Sequence, residues 1–217
     1  MEALRLHFGL DRISILAHSY LCTAAILYAA RYPDKVSRLI LIGPMPPDQS
    51  TEYPPDLRSS DGVLEVFQAR FAELHSRVAE LASADFCQQA WALLRVLYVA
   101  NAQDADRLHW AACDVPNEVG FMQPFMKYIL PSLAALRFTA GTLANLTAPV
   151  LLIHGKLDRS SPYGAGRDWA RILPNARLLT VDRAAHVPWI EAPALVDASI
   201  QLFLAGDWPP EAETVID

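Results

Sequence analysis

Ser19, Asp158 and His186 are the residues whose types and order suit proton-assisted nucleophilic chemistry. A serine hydroxyl is a weak nucleophile until a base within hydrogen-bond reach takes its proton. A neutral imidazole can do so, and a carboxylate on its far side fixes the tautomer and stabilises the imidazolium that forms. Ser19 sits in His18-Ser19-Tyr20, between an apolar run (Ile13 to Ala17) and an alanine-rich stretch from Leu21. A serine on so tight a turn also brings the N–H of the next residue, Tyr20, to where an oxyanion develops. Asp158 lies in HGKLDRSSP and His186 in DRAAHVPWIEAP, each just beyond an apolar run. Taken alone, His-Ser-Tyr is common and a serine capping the next helix explains it equally well. The chain order Ser, Asp, His, with each residue past the end of an apolar run, raises Ser19 above that explanation.

The other candidates carry less. Asp182 is near His186 and is the rival acid, but it still belongs to the end of a strand. His18 reads as structural, His154 as a strand-end histidine bonded locally, and Glu191 as an acid that caps or pairs near the last helix. His7, His75 and His109 stand alone, without metal-ligand spacing, so no metal site is expected. Trp91, Tyr98 and Trp110, with Phe121 and Phe125, could line a substrate pocket, although aromatics at helical spacing more often build a core. Glu65, Glu73 and Glu118 could anchor a substrate amine, but a solvated helix face explains them more cheaply.

The elements that must position these residues can be read in turn. Glu2 to Phe8 reads as the end of a helix stopped by Gly9. Ile13 to Ala17 is a buried strand, Leu21 to Tyr32 a helix ended by Pro33, and Ser37 to Ile42 a second strand closed by Gly43-Pro44. Prolines 44, 46, 47, 54 and 55 make a stiff linker, and from Gly62 to about Ala140 the apolar spacing is helical. Strands resume at Val150 to His154 and Arg177 to Val181, alternating with helices at Gly166 to Leu173 and Ala194 to Leu204; a frayed polar tail is expected after Gly206. Strand, helix, strand at both ends implies a mostly parallel α/β sheet split by a helical insertion. Parallel strands carry Ser19, Asp158 and His186 to one sheet edge, where ligands bind in such folds.

AHSYLCTAAILYAARYPDKVSRLILIGP and LLIHGKLDRSSPYGAGRDWARILPNARLLTVDRAAHVPWIEAP resemble the elbow and acid-to-base segments of α/β-hydrolases of the proline iminopeptidase-like group. The resemblance implies an α/β-hydrolase core with an inserted helical cap, acting on esters or amides with no cofactor. Two departures stand out. The family's Gly-x-Ser-x-Gly elbow carries Ala17 and Leu21 here, and the bulky Leu21 is expected to splay the helix or plug the site. The family also has strands and a second oxyanion-hole loop before the elbow, whereas this chain begins in the helix just before the elbow strand. That leaves the elbow strand as an open apolar edge, which invites pairing with another chain, so a homo-oligomer covering it is expected.

The bulk numbers fit one packed core. Of 217 residues, 53% are hydrophobic and 19% charged, which excludes a disordered chain. A net charge of −6 excludes a nucleic-acid partner, since phosphate binding needs a basic surface. No apolar run approaches the roughly 20 residues that span a bilayer, and the amino end has no secretory pattern. Cys22, Cys87 and Cys113 are expected to be reduced, which fits a cytoplasmic protein. The expected organisation is core over 1–47, cap over 48–145, core over 146–206 and tail over 207–217. The expected activity is carboxylic-ester hydrolysis, against an N-terminal-proline aminopeptidase and a non-catalytic remnant that self-associates.

Overall fold

The computed structural model describes residues 1–109, 113 and 125–216. A short helix α1 (Glu2–His7) leads into β1 (Ile13–His18), α2 (Leu21–Arg31) and β2 (Val36–Ile42). The insertion holds α3 (Val63–Ser76), α4 (Ser83–Tyr98) and the short α5 (Leu130–Ala134). Then follow β3 (Val150–Gly155), α6 (Tyr163–Ile172), β4 (Ala176–Val181), the one-turn α7 (Pro188–Glu191), α8 (Pro193–Ala205) and β5 (Ala212–Glu213). The sheet order is β1-β2-β3-β4-β5, with β1 to β4 parallel and β5 antiparallel to β4.

The apolar runs hide a period of two, because a strand covered on both faces needs apolar residues at every position. Leu39, Leu41, Val150, Leu152 and Leu178 pack on one face with Cys22, Ala25, Ile26 and Ala29 of α2 and Trp169 of α6. The alternate residues Ile40, Ile42, Leu151, Ile153 and Leu179 pack on the other with Val196 and Phe203 of α8. β3 is buried along its whole length between β2 and β4. β1, by contrast, lies at one edge with Leu16 exposed, and Leu4 and Leu6 of α1 and Phe8 just after it are exposed too.

The insertion leaves and rejoins the core at one place. The Phe138 N–H donates to the Pro47 carbonyl at 3.2 Å, and the Arg137 guanidinium meets the Asp48 carboxylate at 2.9 Å. Within it Leu74, Phe86 and Ala90 form a small core of their own, separate from the two that flank the sheet.

Three expectations are corrected. Leu21 neither splays α2 nor plugs the turn: its side chain is exposed, and the close approach of α2 to the sheet is made by Cys22, Ala25 and Ala29. The tail does not fray, because Ala212 and Glu213 pair with Leu179 and Leu178 of β4, and Trp208 lies against Phe203. Cys87 and Cys113 are joined in a disulfide, leaving only Cys22 as a free, buried thiol among the described residues. Their separation of 26 residues leaves no local sign of the pairing, and the pair removes the cysteine argument for a reducing compartment. No helix among the described residues is long and apolar enough to cross a membrane.

Candidate active site

Ser19 follows the last residue of β1 and holds φ at +57°, the one non-glycine residue with positive φ among those described. A left-handed conformation costs a residue with a Cβ about 1–2 kcal/mol, so the surroundings must impose it. They do so from both sides: the Ser19 N–H donates to the Ile42 carbonyl at 2.9 Å, and the Ser19 carbonyl accepts from the Cys22 N–H at 3.0 Å. The helix-cap explanation fails, because Tyr20 is the N-cap residue of α2 and no side chain caps that end. Tyr20 therefore sits where the N–H groups of α2 begin, and Ser19 remains partly exposed.

Asp158 lies three residues beyond the end of β3 and is fully buried. Its Oδ1 accepts the N–H groups of Ser160 and Ser161, both at 2.8 Å, in a turn that aims Oδ2 at His186. His186 Nδ1 donates to that oxygen at 2.7 Å, which places the ring proton on Nδ1 because the carboxylate only accepts. His154 Nε2 lies 3.4 Å from the same oxygen and donates to the Ser161 carbonyl at 3.1 Å. Burial pushes the Asp158 carboxyl up, but the attraction of His186 and the hydrogen bonds of His154 and His186 reverse this and hold it well below the usual carboxylate range. His186 Nε2 is buried and takes part in no hydrogen bond.

The turn and this pair are neighbours. His18 donates from Nε2 to the His186 carbonyl at 2.9 Å, and the two rings lie 4.4 Å apart. Gly43, which follows Ile42 with φ +52°, runs beneath the pair: a Cβ there would stand 3.1 Å from His186 Nδ1 and 3.3 Å from Asp158 Oδ2. Ser19 is thus flanked by His18, which is bonded to His186, and by Ile42, whose neighbour Gly43 leaves room for the pair. Gly155 performs a similar service for the base loop, since a Cβ there would meet the Ala185 carbonyl oxygen at 2.1 Å.

Tyr98, at the end of α4, sets its ring edge-on to His186 at 5.0 Å, so the insertion reaches the pair. Trp91 is half-buried on α4, seven residues earlier and therefore on the same helix face. Trp110, Phe121 and Glu118 lie outside the described residues, as does the side chain of Phe125. Glu65 and Glu73 are exposed on α3, the solvated arrangement. A cavity of about 390 Å³ opens between α3 and α4, lined by Val63, Val66, Phe67, Leu93 and Val96, with Arg159 in its wall. The rival acid, Asp182, is exposed and faces Lys156 at 3.9 Å, so it is not the partner of His186. Glu191 spans two loops, accepting the Ala185 N–H at 2.6 Å and the Ala100 N–H at 2.7 Å. Sequence reasoning missed Gly43, whose signal was its place directly after a strand, and Arg159, which carried none beyond following Asp158.

Residues 1–193 match the family described as alpha/beta hydrolase fold, and the chain belongs to it. It is 26% identical over 215 residues to protein ABHD8 of Bos taurus, covering 97% of this chain and 44% of that protein. It is 30% identical over 182 residues to the pimeloyl-[acyl-carrier protein] methyl ester esterase of Aromatoleum aromaticum, covering 78% of this chain and 64% of that one. The chain thus spans less than half the length of the first relative and under two thirds of the second. In fold it is similar to the 2-hydroxy-6-oxo-6-phenylhexa-2,4-dienoate hydrolase of Rhodococcus sp. strain RHA1. There the TM-score is 0.66 at 19% identity, over 94% of this chain and 67% of that one.

His18 gives the site a stability signature. Burial and repulsion by His186 push its pKa down from 6.5 to about 3. Below pH 6.5 the unfolded histidine takes up a proton that the folded one refuses until about pH 3, so stability falls with pH across that window. His18→Asn is expected to make the urea midpoint less sensitive to pH between 6 and 4 than it is in the parent protein. Equal sensitivity in the two proteins would contradict the assignment.

Proposed function

We propose that the protein is a serine hydrolase that cleaves carboxylic esters through an acyl-serine intermediate, with Ser19 as nucleophile, His186 as base and Asp158 as acid. The observation that carries the reading is the strained turn at Ser19 beside a buried Asp158–His186 hydrogen bond of 2.7 Å whose outer nitrogen, Nε2, is uncommitted. Ser19 Oγ attacks the ester carbonyl carbon as its proton passes to His186 Nε2. The carbonyl oxygen takes up the electron pair and faces the Tyr20 N–H at the start of α2. On collapse, the C–O bond to the alcohol breaks and His186 gives the alcohol its proton. Water then repeats the sequence: its proton goes to His186, its oxygen attacks the acyl carbon, and Ser19 leaves reprotonated as the carboxylic acid is released. Asp158 keeps the Nδ1 proton in place and offsets the charge on the ring throughout.

The esterase relative supports ester substrates. Release of N-terminal proline, which the proline iminopeptidase-like resemblance implies, asks for an acidic group beside the reacting serine to hold the amine. Among the described residues, Glu65 and Glu73 stand exposed on α3 and Glu191 is committed to two backbone N–H groups, while Glu118 lies outside them. Leu21, the elbow departure that would favour a non-catalytic remnant, is turned to solvent. Purified protein is expected to hydrolyse p-nitrophenyl acetate and butyrate, with Ser19→Ala lowering kcat/KM by at least about 10³-fold. Equal rates with and without Ser19, or no hydrolysis by either protein, would sink the proposal.

A second copy of the chain is proposed as the cover for β1. What supports it is the edge position of β1 together with exposed Leu16, Leu4, Leu6 and Phe8, because an apolar strand edge is a template for pairing. Light scattering at micromolar concentration should report a dimer or larger species, and Leu16→Lys should shift it toward monomer. A clean monomer in the parent protein would refute the idea.

A further inference from the structure

The end of α4 leaves carbonyl groups without partners inside the helix, as every helix does. Here they are met by residues adjoining the Asp158–His186 pair. The Tyr98 carbonyl accepts the N–H groups of His186 at 3.0 Å and of Val187 at 3.2 Å. Arg159, next in sequence to Asp158, donates from Nη1 to the carbonyls of Val96, at 3.0 Å, and Val99, and from Nη2 to that of Ala100 at 3.4 Å. The same guanidinium grips the Asp61 carboxylate through Nε at 2.8 Å and Nη2 at 2.7 Å. Asp61 in turn accepts the Val63 N–H at the start of α3. Only 12% of the Arg159 side chain is exposed. Glu191 closes the arrangement by joining the Ala100 N–H to that of Ala185, the residue before His186.

A guanidinium suits this place for two reasons. Its fork presents five N–H donors in fixed directions, enough for three carbonyls and a carboxylate at once. Its charge also faces the negative end of the α4 dipole. The terminal segment of α4 is therefore a strut with the acid loop bonded to one side and the base loop to the other.

We propose that Arg159 is a positioning residue. By gathering the start of α3 and the end of α4 onto the acid loop, it seats the helical insertion on the Asp158–His186 pair and fixes the spacing of the loops that carry them. Arg159 acts through the α4 terminus rather than on substrate, so its loss should lower kcat and leave KM nearly unchanged. The catalytic half of the proposal rests on the serine-hydrolase reading; the geometric half does not.

The test compares the parent protein with Arg159→Gln, Arg159→Lys and the surface control Arg31→Gln. Two readouts are taken below the melting temperature of each: p-nitrophenyl butyrate kinetics, and the low-field proton resonance of His186 Nδ1–H. Arg159→Gln is expected to lose roughly 10–100-fold in kcat, with KM changing by less than about threefold, and to shift or lose the resonance. Arg159→Lys restores the charge but not the fork and should recover part of both; if Arg159→Gln fails to fold, the lysine variant alone decides. Arg31→Gln should match the parent. Folded Arg159 variants with unchanged kcat and resonance, whatever their melting temperature, would overturn the proposal, as would a parent protein without the resonance. A parent that shows the resonance but no turnover would remove the hydrolase reading and leave the geometric half to be judged by the resonance in Arg159→Gln.

Discussion

A carboxylate shut away from water is the constraint around which the sheet edge is organised. Asp158 is fully buried with its carboxyl held well below the usual range, and a buried carboxylate costs several kcal/mol unless its oxygens are met by donors of good geometry. Two N–H groups of its own turn satisfy Oδ1, and His186 satisfies Oδ2 with His154 close by. Each donor ties down an element: the turn after β3, the loop after β4 and the end of β3 itself. Remove the carboxylate and three segments lose their common anchor. Remove His186 and the carboxylate loses its best partner. The arrangement is stable only as a whole, and it is also the arrangement that a proton shuttle needs.

The insertion extends that dependence. Its two ends are pinned together at Pro47, Asp48, Arg137 and Phe138, so it behaves as a unit added at one point of the core. Tyr53 ties it to α6, its hydroxyl donating to Asp168 at 2.7 Å, and the end of α4 is bonded to the loops of both Asp158 and His186. Tyr98 lays its ring edge against His186 while its carbonyl holds the backbone of the same residue. Insertion and core are thus joined at the site as well as away from it, and the joint at the site is made largely of backbone hydrogen bonds.

The parallel sheet was legible because β2, β3 and β4 are dense in Leu, Ile and Val, and buried strands of a parallel sheet leave no polar alternation to confuse with a helix. The placement of Ser19, Asp158 and His186 just past strand ends was legible from residue types and their order, and the structure bonds Asp158 to His186 and sets His18, the neighbour of Ser19, beside the same ring. What escaped is what depends on three dimensions alone. The Cys87–Cys113 bond joins α4 to a residue 26 positions further on, and no local pattern records that nearness. The pairing of Ala212 and Glu213 with β4 involves two residues, too few for an alternation to show. Nearness to Ser19 in sequence does not put Leu21 against the core, because the helical turn carries its side chain outward and leaves the packing to Cys22 and Ala25. Arg159 was hidden because its partners are mostly backbone carbonyls, which have no sequence.

Peptide mapping after reaction with a fluorophosphonate tests the central claim most directly. A serine displaces fluoride from such a reagent only when a neighbouring base takes its proton, and the adduct is stable enough to locate. A single phosphonylated residue, Ser19, is expected, with labelling absent in Ser19→Ala and much slowed in His186→Ala. A folded protein that stays unlabelled, or that is labelled elsewhere while Ser19 is untouched, would contradict it.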